Sequence, residues 1–333
     1  MMVKIEIKNL KVWFPVRTSF LKSLYSKKHQ YSHAVDGVSF KIKEEEIFCL
    51  AGESGCGKTT LAKAMIRLIK PTSGTVRYSG VDLLSIGKNE FRSYRRKLQI
   101  IYQDPYSSLN PKKNVFNTIA EPLKVHNFIK NFSEGKDIIT QILEEVELTP
   151  AESFFGKYPH ELSGGQRQRV SIASSLVLNP DFIVADEPVS MLDSSVRTEV
   201  LYMMLRLKKK RKLTYLFITH DLSLAWLISD RIAIMYLGKI VEMGPTDEVV
   251  SNPQHPYTKA LISVIPRPTS GVKHKKIILK GNPPDSMNIP AGCRFHPRCF
   301  EAKDICKRAE PSIVKFNKNH YVACHLLSQK RKP

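Results

Sequence analysis

Polar and apolar residues alternate along the N-terminal segment Val3–Val12, a period of two that predicts a half-buried strand. Further strands are predicted from the same alternation or from short apolar runs at Val35–Ile42, Glu46–Leu50, Gln99–Tyr102, Phe182–Ala185 and Tyr215–Thr219. Helices are predicted at Lys58–Lys70 and at Ser194–Lys212. Because the second helix joins two apolar strands, we expect a right-handed parallel crossover and an α/β core.

Three other segments have a different character. Residues 104–178 are rich in helical patterns interrupted by Pro and Asn, and Arg231–Met243 predicts a hairpin that turns at Gly238 and Lys239. The segment Arg17–His33 is basic and aromatic, and we predict a surface loop there.

Proline becomes frequent after Gly244, so long helices or strands are not expected in the C-terminal part. The stretch at about 266–290 resembles a linker. We therefore predict a boundary near residue 250, with one domain at 1–250 and a smaller one at 251–333.

Composition and charge exclude some classes of protein. Of the 333 residues, 42% are hydrophobic and 25% are charged, which excludes a mainly disordered or fibrous chain. No apolar run approaches the ~18 residues that span a bilayer, and Met1–Phe14 has no signal-peptide core, so we expect an intracellular protein. The net charge of +21 suggests an anionic partner, such as nucleic acid, nucleotide phosphates or anionic lipid, or simply a solvated basic surface.

A glycine-rich segment after the third predicted strand fits the pattern G-x-x-x-x-G-K-S/T. It consists of Gly52, Glu53, Ser54, Gly55, Cys56, Gly57, Lys58 and Thr59. Glycines let successive N–H groups converge on an anion at a helix N-terminus. In this pattern Lys58 reaches the β- and γ-phosphates and the Thr59 hydroxyl binds Mg²⁺. A plain strand-to-helix turn is the alternative.

Asp186 and Glu187 end the apolar run Phe182–Ala185. Ligands of α/β sheets gather at the carboxyl ends of the strands. We therefore expect Asp186 to hold Mg²⁺ and Glu187 to orient or deprotonate an attacking water. The alternative is that both carboxylates only cap the strand.

Further motifs resemble those of the ATP-binding subunits of ABC transporters. The segment Leu162–Gln166 resembles the family signature, Gln103 its Q-loop, Ser190–Asp193 its D-loop and His220 its switch histidine. Phe14, or alternatively Trp13, stands where the family stacks an aromatic ring on adenine. The resemblance covers about residues 5–250. It implies a P-loop domain with a RecA-like core, an antiparallel β subdomain and a helical subdomain at about 104–178.

This resemblance also implies which residues act on ATP. The implied catalytic residues are Lys58, Gln103, Glu187 and His220, and the implied Mg²⁺ ligands are Thr59, Gln103 and Asp186. The implied ATP-binding residues are Phe14, Gly52, Glu53, Ser54, Gly55, Cys56, Gly57, Lys58, Thr59, Thr60, Gln103, Ser163, Gly164, Gly165, Gln166 and Asp186. A head-to-tail dimer is implied, in which Ser163–Gly165 of one protomer closes over the ATP of the other.

Three segments resemble the oligopeptide/dipeptide importers of this family, namely Gln103–Pro111, His255–Leu261 and Gly292–Cys299. The Gln103 segment, together with Pro188–Ser190, resembles the F-type subunit. This resemblance implies a paralogous D-type ATPase subunit, two membrane permease subunits and, indirectly, an extracellular solute-binding protein as partners. The implied location is peripheral, on the cytoplasmic face of the cell membrane, with no nucleic-acid partner. Import of oligosaccharides or nickel, or a soluble ATPase acting on nucleic acid or ribosomes, are the alternatives.

Four of the six cysteines, Cys293, Cys299, Cys306 and Cys324, are clustered near the C-terminus. Their spacing matches neither common zinc ribbons nor ferredoxins, so it predicts a metal site without specifying the metal. Resemblance to the importer C-terminal extension implies a 4Fe–4S cluster. Zn²⁺, in a site mixed with His296, His320 or His325, and four unrelated buried thiols are the alternatives.

Overall fold

The computed structural model describes residues 2–16, 31–265 and 276–328. Of the predicted loop at Arg17–His33, residues 17–30 lie outside the described residues. Of the linker-like stretch at about 266–290, residues 266–275 lie outside them. Among the helices of the described segments, none is long and apolar enough to cross a membrane.

Twelve strands are present in the described segments. They are β1 (Val3–Pro15), β2 (Tyr31–Lys43), β3 (Ile47–Ala51), β4 (Ser73–Tyr78), β5 (Val81–Asp82), β6 (Leu98–Ile101), β7 (Phe182–Asp186), β8 (Thr214–Thr219), β9 (Arg231–Tyr236), β10 (Lys239–Pro245), β11 (Val314–Lys315) and β12 (Tyr321–Val322). The six strands predicted from sequence are all confirmed, with ends that differ by a few residues.

The α-helices of the same segments are α1 (Lys58–Met65), α2 (Lys88–Arg95), α3 (Pro105–Ser108), α4 (Val115–Val125), α5 (Phe132–Glu145), α6 (Gly164–Leu176), α7 (Ser194–Arg211), α8 (Leu222–Ile228), α9 (Thr246–Ser251), α10 (Pro256–Ser263), α11 (Asp304–Arg308) and α12 (His325–Ser328). Short 3₁₀ turns lie at Ala151–Phe154, Pro159–Glu161 and His296–Arg298.

The chain forms two compact units. The first comprises Met1–Lys4, Lys43–Glu46 and Ser85–Phe217. Its strands follow the order β8-β7-β6, and β6 pairs in parallel with β7 through Leu98↔Phe182 and Ile101↔Ala185. Every residue of β7 is buried, as expected for a central parallel strand. The regular elements between β6 and β7 are the helices α3–α6 and two 3₁₀ turns, with no strand among these described residues.

The second unit comprises Ile5–Ile42, Ile47–Leu84 and Ile218–Pro333. It contains an antiparallel sheet with the order β2-β1-β4-β5 and a group of strands with the order β11-β12-β10-β9-β3. Strand β3 is wholly buried and pairs in parallel with β9, while β12 pairs antiparallel with β10. The proline-rich tail therefore adds two strands that the sequence pattern does not predict.

Two predicted boundaries differ from the structure for identifiable reasons. Helix α1 ends at Met65 rather than Lys70 because Arg67 adopts a left-handed φ of 54° and donates a hydrogen bond to the Leu83 carbonyl at 2.7 Å. The hairpin turns at Leu237 and Gly238 rather than one residue later. Both turn residues have positive φ, and the Gly238 N–H donates to the Cys56 carbonyl at 2.9 Å.

A buried polar cluster connects β10, α10 and the tail of the second unit. The Glu242 carboxylate is fully buried and accepts hydrogen bonds from the backbone N–H groups of Gln254 and His255. It also lies 2.7 Å from His320 Nε2. His255 Nδ1 accepts the Tyr257 N–H, which caps the start of α10, and burial lowers the pKa of His255 to about 4.

This depressed pKa predicts a loss of stability in acid. The unfolded state binds a proton at His255 near pH 6.5, whereas the folded state binds it only near pH 4. The contribution of neutral His255 to the free energy of unfolding is therefore fully present above pH 6.5. It is lost as the pH falls towards 4, and the loss is at most about 3 kcal/mol. Urea unfolding across this range should show a shallower pH dependence in His255→Asn, which retains a capping acceptor but does not titrate. An unchanged slope in the variant would contradict the assignment.

Candidate nucleotide-binding site

The loop between β3 and α1 has the backbone geometry of an anion cradle. Gly52 and Gly57 have φ values of 151° and 105°, and Gly55 has 77°. A Cβ atom on Gly57 would lie 2.0 Å from the Ala34 carbonyl oxygen, and one on Gly52 would lie 2.2 Å from the Met235 carbonyl oxygen. Glycine is therefore required at both positions by close backbone contact as well as by φ.

Lys58 is the first residue of α1, and its side chain is buried. Its Nζ donates to the carbonyl oxygens of Gly52 and Glu53 at 2.8 and 2.9 Å, so the ammonium lies inside the curve of the loop. The N-cap residue Gly57 provides no side-chain cap for the first turn. Burial raises the pKa of Cys56, which keeps this thiol neutral. The backbone N–H groups and Lys58 thus present positive charge to a ligand.

Thr59 and Thr60 follow Lys58 in the first turn of α1, and both are half-buried. Ser54 and Gly55 are exposed at the tip of the loop. The hydroxyl of Thr59 is the oxygen ligand that the sequence assigns to Mg²⁺, and hard oxygen donors are the ligands that this ion prefers.

In the first unit, Gln103 and Glu187 are in direct contact. Gln103 Nε2 donates to Glu187 Oε2 at 3.0 Å. The parallel register Ile101↔Ala185 explains the contact, because each of the two residues lies two positions beyond a paired partner at the same edge of the sheet. Asp186 is buried at the end of β7, and Glu187 adopts a left-handed φ of 47°.

Ser163 caps α6 in a reciprocal arrangement with Gln166. Its Oγ accepts the Gln166 N–H at 3.2 Å, and Gln166 Oε1 accepts the Ser163 N–H at 3.0 Å. A Cβ on Gly165 would lie 2.5 Å from Val196 Cγ1, so this glycine allows close contact with α7. A Cβ on Gly164 would lie 3.7 Å from Leu192 Cδ2, an ordinary van der Waals contact. Ser163 is exposed.

The two aromatic candidates for adenine differ in their surroundings. Trp13 stacks on His33 with ring centroids 4.3 Å apart, and Lys11 lies 5.2 Å from its ring. Phe14 is 40% exposed near the end of β1. Phe14 is therefore the more accessible ring of the pair. His220 comes directly after β8, belongs to the second unit and is exposed.

Two residues that the sequence analysis did not assign to the site contact the loop at Glu53. The Glu53 N–H donates to the Tyr257 hydroxyl at 2.9 Å. Arg298 donates to both carboxylate oxygens of Glu53, at 2.7 and 3.0 Å, and this bonding raises the pKa of Arg298. Both lie in segments that were noted only for their resemblance to peptide importers. The local sequence gives one signal for Arg298: Glu53 is a carboxylate within a phosphate-binding loop, and such a carboxylate requires a neutralising cation nearby.

The four clustered cysteines lie close enough to affect one another's ionisation. Burial, with smaller contributions from neighbouring thiols that include Cys293 and Cys306, raises the pKa of Cys299 and of Cys324 to about 11. The Cys293 N–H donates to the Cys306 carbonyl at 2.8 Å. Within the described residues, however, no three His, Cys, Asp or Glu side chains are arranged to hold a metal ion.

The histidines proposed for a mixed zinc site have other partners. His320 Nε2 lies 2.7 Å from Glu242, His325 Nε2 lies 2.9 Å from the Ala309 carbonyl, and His296 Nδ1 lies 2.9 Å from the Cys293 carbonyl. The three imidazoles therefore form hydrogen bonds with other groups, and in the part of the chain that the structure describes they do not complete a metal site with the four cysteines.

The glycine loop at the start of α1, with its inward lysine, defines a P-loop nucleotide-binding protein of the α/β class. A family model described as ABC transporter matches residues 35–190, and one described as oligopeptide/dipeptide transporter, C-terminal region, matches residues 241–306.

Full-length relatives extend this match. The oligopeptide transport ATP-binding protein AppF of Bacillus subtilis is 46% identical over 327 residues, which covers 97% of each chain. The dipeptide transport ATP-binding protein DppF of Haemophilus influenzae is 41% identical over 315 residues, which covers 95% of this chain and 94% of the relative. A putative peptide import ATP-binding protein of Brucella ovis is 42% identical, covering 87% of this chain and 90% of the relative.

Among solved structures, the ATP-binding cassette MJ0796 as a dimer in a post-hydrolysis state with ADP and Pi matches with a TM-score of 0.62 and 27% identity. The match covers 73% of this chain and 98% of that one. The chain belongs to the ABC transporter family, as an ATP-hydrolysing subunit of the oligopeptide/dipeptide transporters.

The close contact at Gly57 predicts a difference between two glycines of the loop. Gly55→Ala meets no heavy atom within 4 Å and carries only the cost of positive φ, about 1–2 kcal/mol. Gly57→Ala has at least that backbone cost, because its φ of 105° lies further from the left-handed helical region, and it also clashes with the Ala34 carbonyl, which adds ~1–3 kcal/mol. Urea unfolding of the two matched variants measures the difference. Equal destabilisation would show that the contact with Ala34 is not a constraint.

Proposed function

We propose that this protein hydrolyses ATP to power the import of peptides through a membrane permease. The observation that supports the proposal most directly is the hydrogen bond between Gln103 and Glu187, because a carboxylate and an amide side chain meet there at the same sheet edge. The names of the relatives, which refer to oligopeptide transport, dipeptide transport and peptide import, support the solute class and the direction.

In this mechanism the P-loop binds the triphosphate, and Lys58 neutralises charge at the β- and γ-phosphates. Thr59, Gln103 and Asp186 would hold Mg²⁺, which supplies positive charge to the phosphate oxygens. Glu187 accepts the proton of the attacking water, and Gln103 orients the Glu187 carboxylate through its amide N–H.

His220 and Phe14 complete the proposed set. The exposed imidazole of His220 is assigned to the γ-phosphate, and the exposed ring of Phe14 is assigned to the adenine face. Ring stacking needs an accessible aromatic face, which favours Phe14 over the stacked Trp13.

The signature segment is proposed to act on the nucleotide of a second ATPase subunit. The Ser163 hydroxyl and the backbone N–H groups of Gly164 and Gly165 at the N-terminus of α6 together suit a phosphate. The dimeric form of the cassette MJ0796 supports a dimer of ATPase subunits. We propose a paralogous D-type subunit as the partner, arranged head to tail.

The permease is proposed to dock on the first unit. A cavity of about 490 Å³ lies beside the residues preceding Gln103 and is lined by Tyr102, Asn110, Val125 and His126, among others. A permease segment bound in this cavity would lie next to Gln103. A movement of the permease could then reach the Glu187 carboxylate through Gln103. Binding to two permease subunits would place the protein on the cytoplasmic face of the membrane. An extracellular solute-binding protein is proposed as an indirect partner, and no nucleic-acid partner is proposed.

The four cysteines are proposed to bind a 4Fe–4S cluster, with Zn²⁺ as the alternative. The support is chemical. Four thiolates are suitable ligands for an iron–sulfur cluster or for Zn²⁺, and a tail with few long helices or strands is stabilised by a bound metal. The arrangement of these thiols does not form a ligand set within the described residues. Binding would require the four sulfurs to lose their protons and come closer together.

The catalytic assignment predicts the behaviour of Glu187→Gln. Loss of a general base should lower ATP turnover by about 10²–10⁴-fold. ATP affinity should be retained, and the variant should accumulate as an ATP-stabilised dimer in size-exclusion chromatography. Glu144→Gln removes an exposed carboxylate of α5 and is the matched control, expected to hydrolyse ATP at the parent rate. Parent-like turnover in Glu187→Gln would refute the assignment.

The metal proposal predicts brown protein after anaerobic purification, with iron and acid-labile sulfide measured chemically. Both should be lost in Cys299→Ser and retained in Cys49→Ala, a buried cysteine outside the cluster. Colourless protein that contains one zinc per chain would refute the iron–sulfur cluster in favour of Zn²⁺.

A further inference from the structure

Glu53 places a negative charge in a loop that is otherwise suited to anions. It is the second residue of the phosphate loop, and its own carbonyl accepts a hydrogen bond from Lys58 at 2.9 Å. A carboxylate near a triphosphate opposes binding by Coulomb repulsion unless a cation neutralises it. The residue that supplies this cation lies 245 positions later in the chain.

Arg298 forms a two-pronged pair with Glu53. Its two terminal nitrogens donate to the two carboxylate oxygens at 2.7 and 3.0 Å, and the Arg298 side chain is 7% exposed. The guanidinium also lies 5.9 Å from the Tyr236 ring centroid. This geometry favours arginine, because the planar fork matches a carboxylate and a lysine cannot reproduce both bonds.

The segment that carries Arg298 is held firmly against the core of the second unit. Arg298 ends the 3₁₀ turn His296–Arg298, where its N–H donates to the Phe295 carbonyl at 3.0 Å. The Phe295 side chain is buried and packs against the rings of Tyr236 and Tyr257 at 5.2 and 5.3 Å. Arg298 is thus presented to Glu53 from an anchored turn.

Tyr257 holds the same loop residue by its backbone. Its hydroxyl accepts the Glu53 N–H at 2.9 Å, and its ring is fully buried. The Glu53 main chain and side chain are therefore both bound by residues that follow β10. This double attachment restricts the orientation of the phosphate loop before a nucleotide is present.

We propose that Arg298 is a positioning residue of the nucleotide site, which neutralises Glu53 and thereby sets the affinity of the phosphate loop for ATP. The inference rests on the proposed nucleotide site at residues 52–60. It makes the Cys293–Cys299 turn part of the ATP-binding apparatus. A purely structural role for the pair would instead change the stability of the protein and leave the affinity for ATP as it is.

The test compares Arg298→Gln, Glu53→Gln and the double variant in the full-length chain. Isothermal titration with ATP and Mg²⁺ gives Kd, and steady-state hydrolysis gives KM and kcat. In Arg298→Gln we expect Kd and KM to rise about tenfold with kcat little changed, as expected for one uncompensated charge within roughly 10 Å of a phosphate. Removing the carboxylate as well should restore the parent Kd, because no unpaired charge remains.

Two variants provide controls. Lys259→Gln breaks the pair between Lys259 and Glu301, at 3.3 Å in the same C-terminal region, and should leave Kd unchanged. Arg298→Lys retains the charge and tests the proposal if Arg298→Gln fails to fold. We expect its Kd to stay within a few-fold of the parent.

An unchanged Kd in Arg298→Gln, a double variant as impaired as the single one, or a loss in Arg298→Lys as large as that expected for Arg298→Gln would each overturn the proposal. Failure of the underlying nucleotide site is recognised separately, because Lys58→Ala would then bind ATP like the parent.

Discussion

The phosphate loop is constrained by close contact between backbones. Gly57 lies so near the Ala34 carbonyl of β2, and Gly52 so near the Met235 carbonyl of β9, that no side chain fits at either position. The loop is therefore fixed by two neighbouring strands of the second unit. Because glycine supplies both the space and the φ values, the N–H groups are oriented without a ligand to arrange them.

The C-terminal region contributes directly to this arrangement. Strand β12 pairs with β10, and the buried carboxylate of Glu242 accepts N–H groups from the segment that leads into α10. Helix α10 in turn carries Tyr257, whose hydroxyl accepts the Glu53 N–H. Burial of Glu242 has a desolvation cost that the surrounding donors offset, so the cluster specifies one arrangement of the tail.

The first unit shows how a parallel register produces a chemical pair. Gln103 and Glu187 lie 84 positions apart in the chain, and the pairing of β6 with β7 brings their side chains to 3.0 Å. The left-handed φ of Glu187 turns the chain sharply just beyond the strand. Such a conformation costs free energy in a non-glycine residue and is typical of residues held for function.

The sequence by itself determined the features that depend on near neighbours in the chain. The glycine loop and helix α7 both follow from residues a few positions apart, so local patterns predict them.

The tertiary structure alone decided the features that depend on distant partners. Helix α1 ends early because Arg67 binds the Leu83 carbonyl, and β12 joins β10 across a proline-rich stretch. Arg298 reaches Glu53 across 245 positions. No local pattern encodes these contacts, because each depends on which surfaces the packed core brings together.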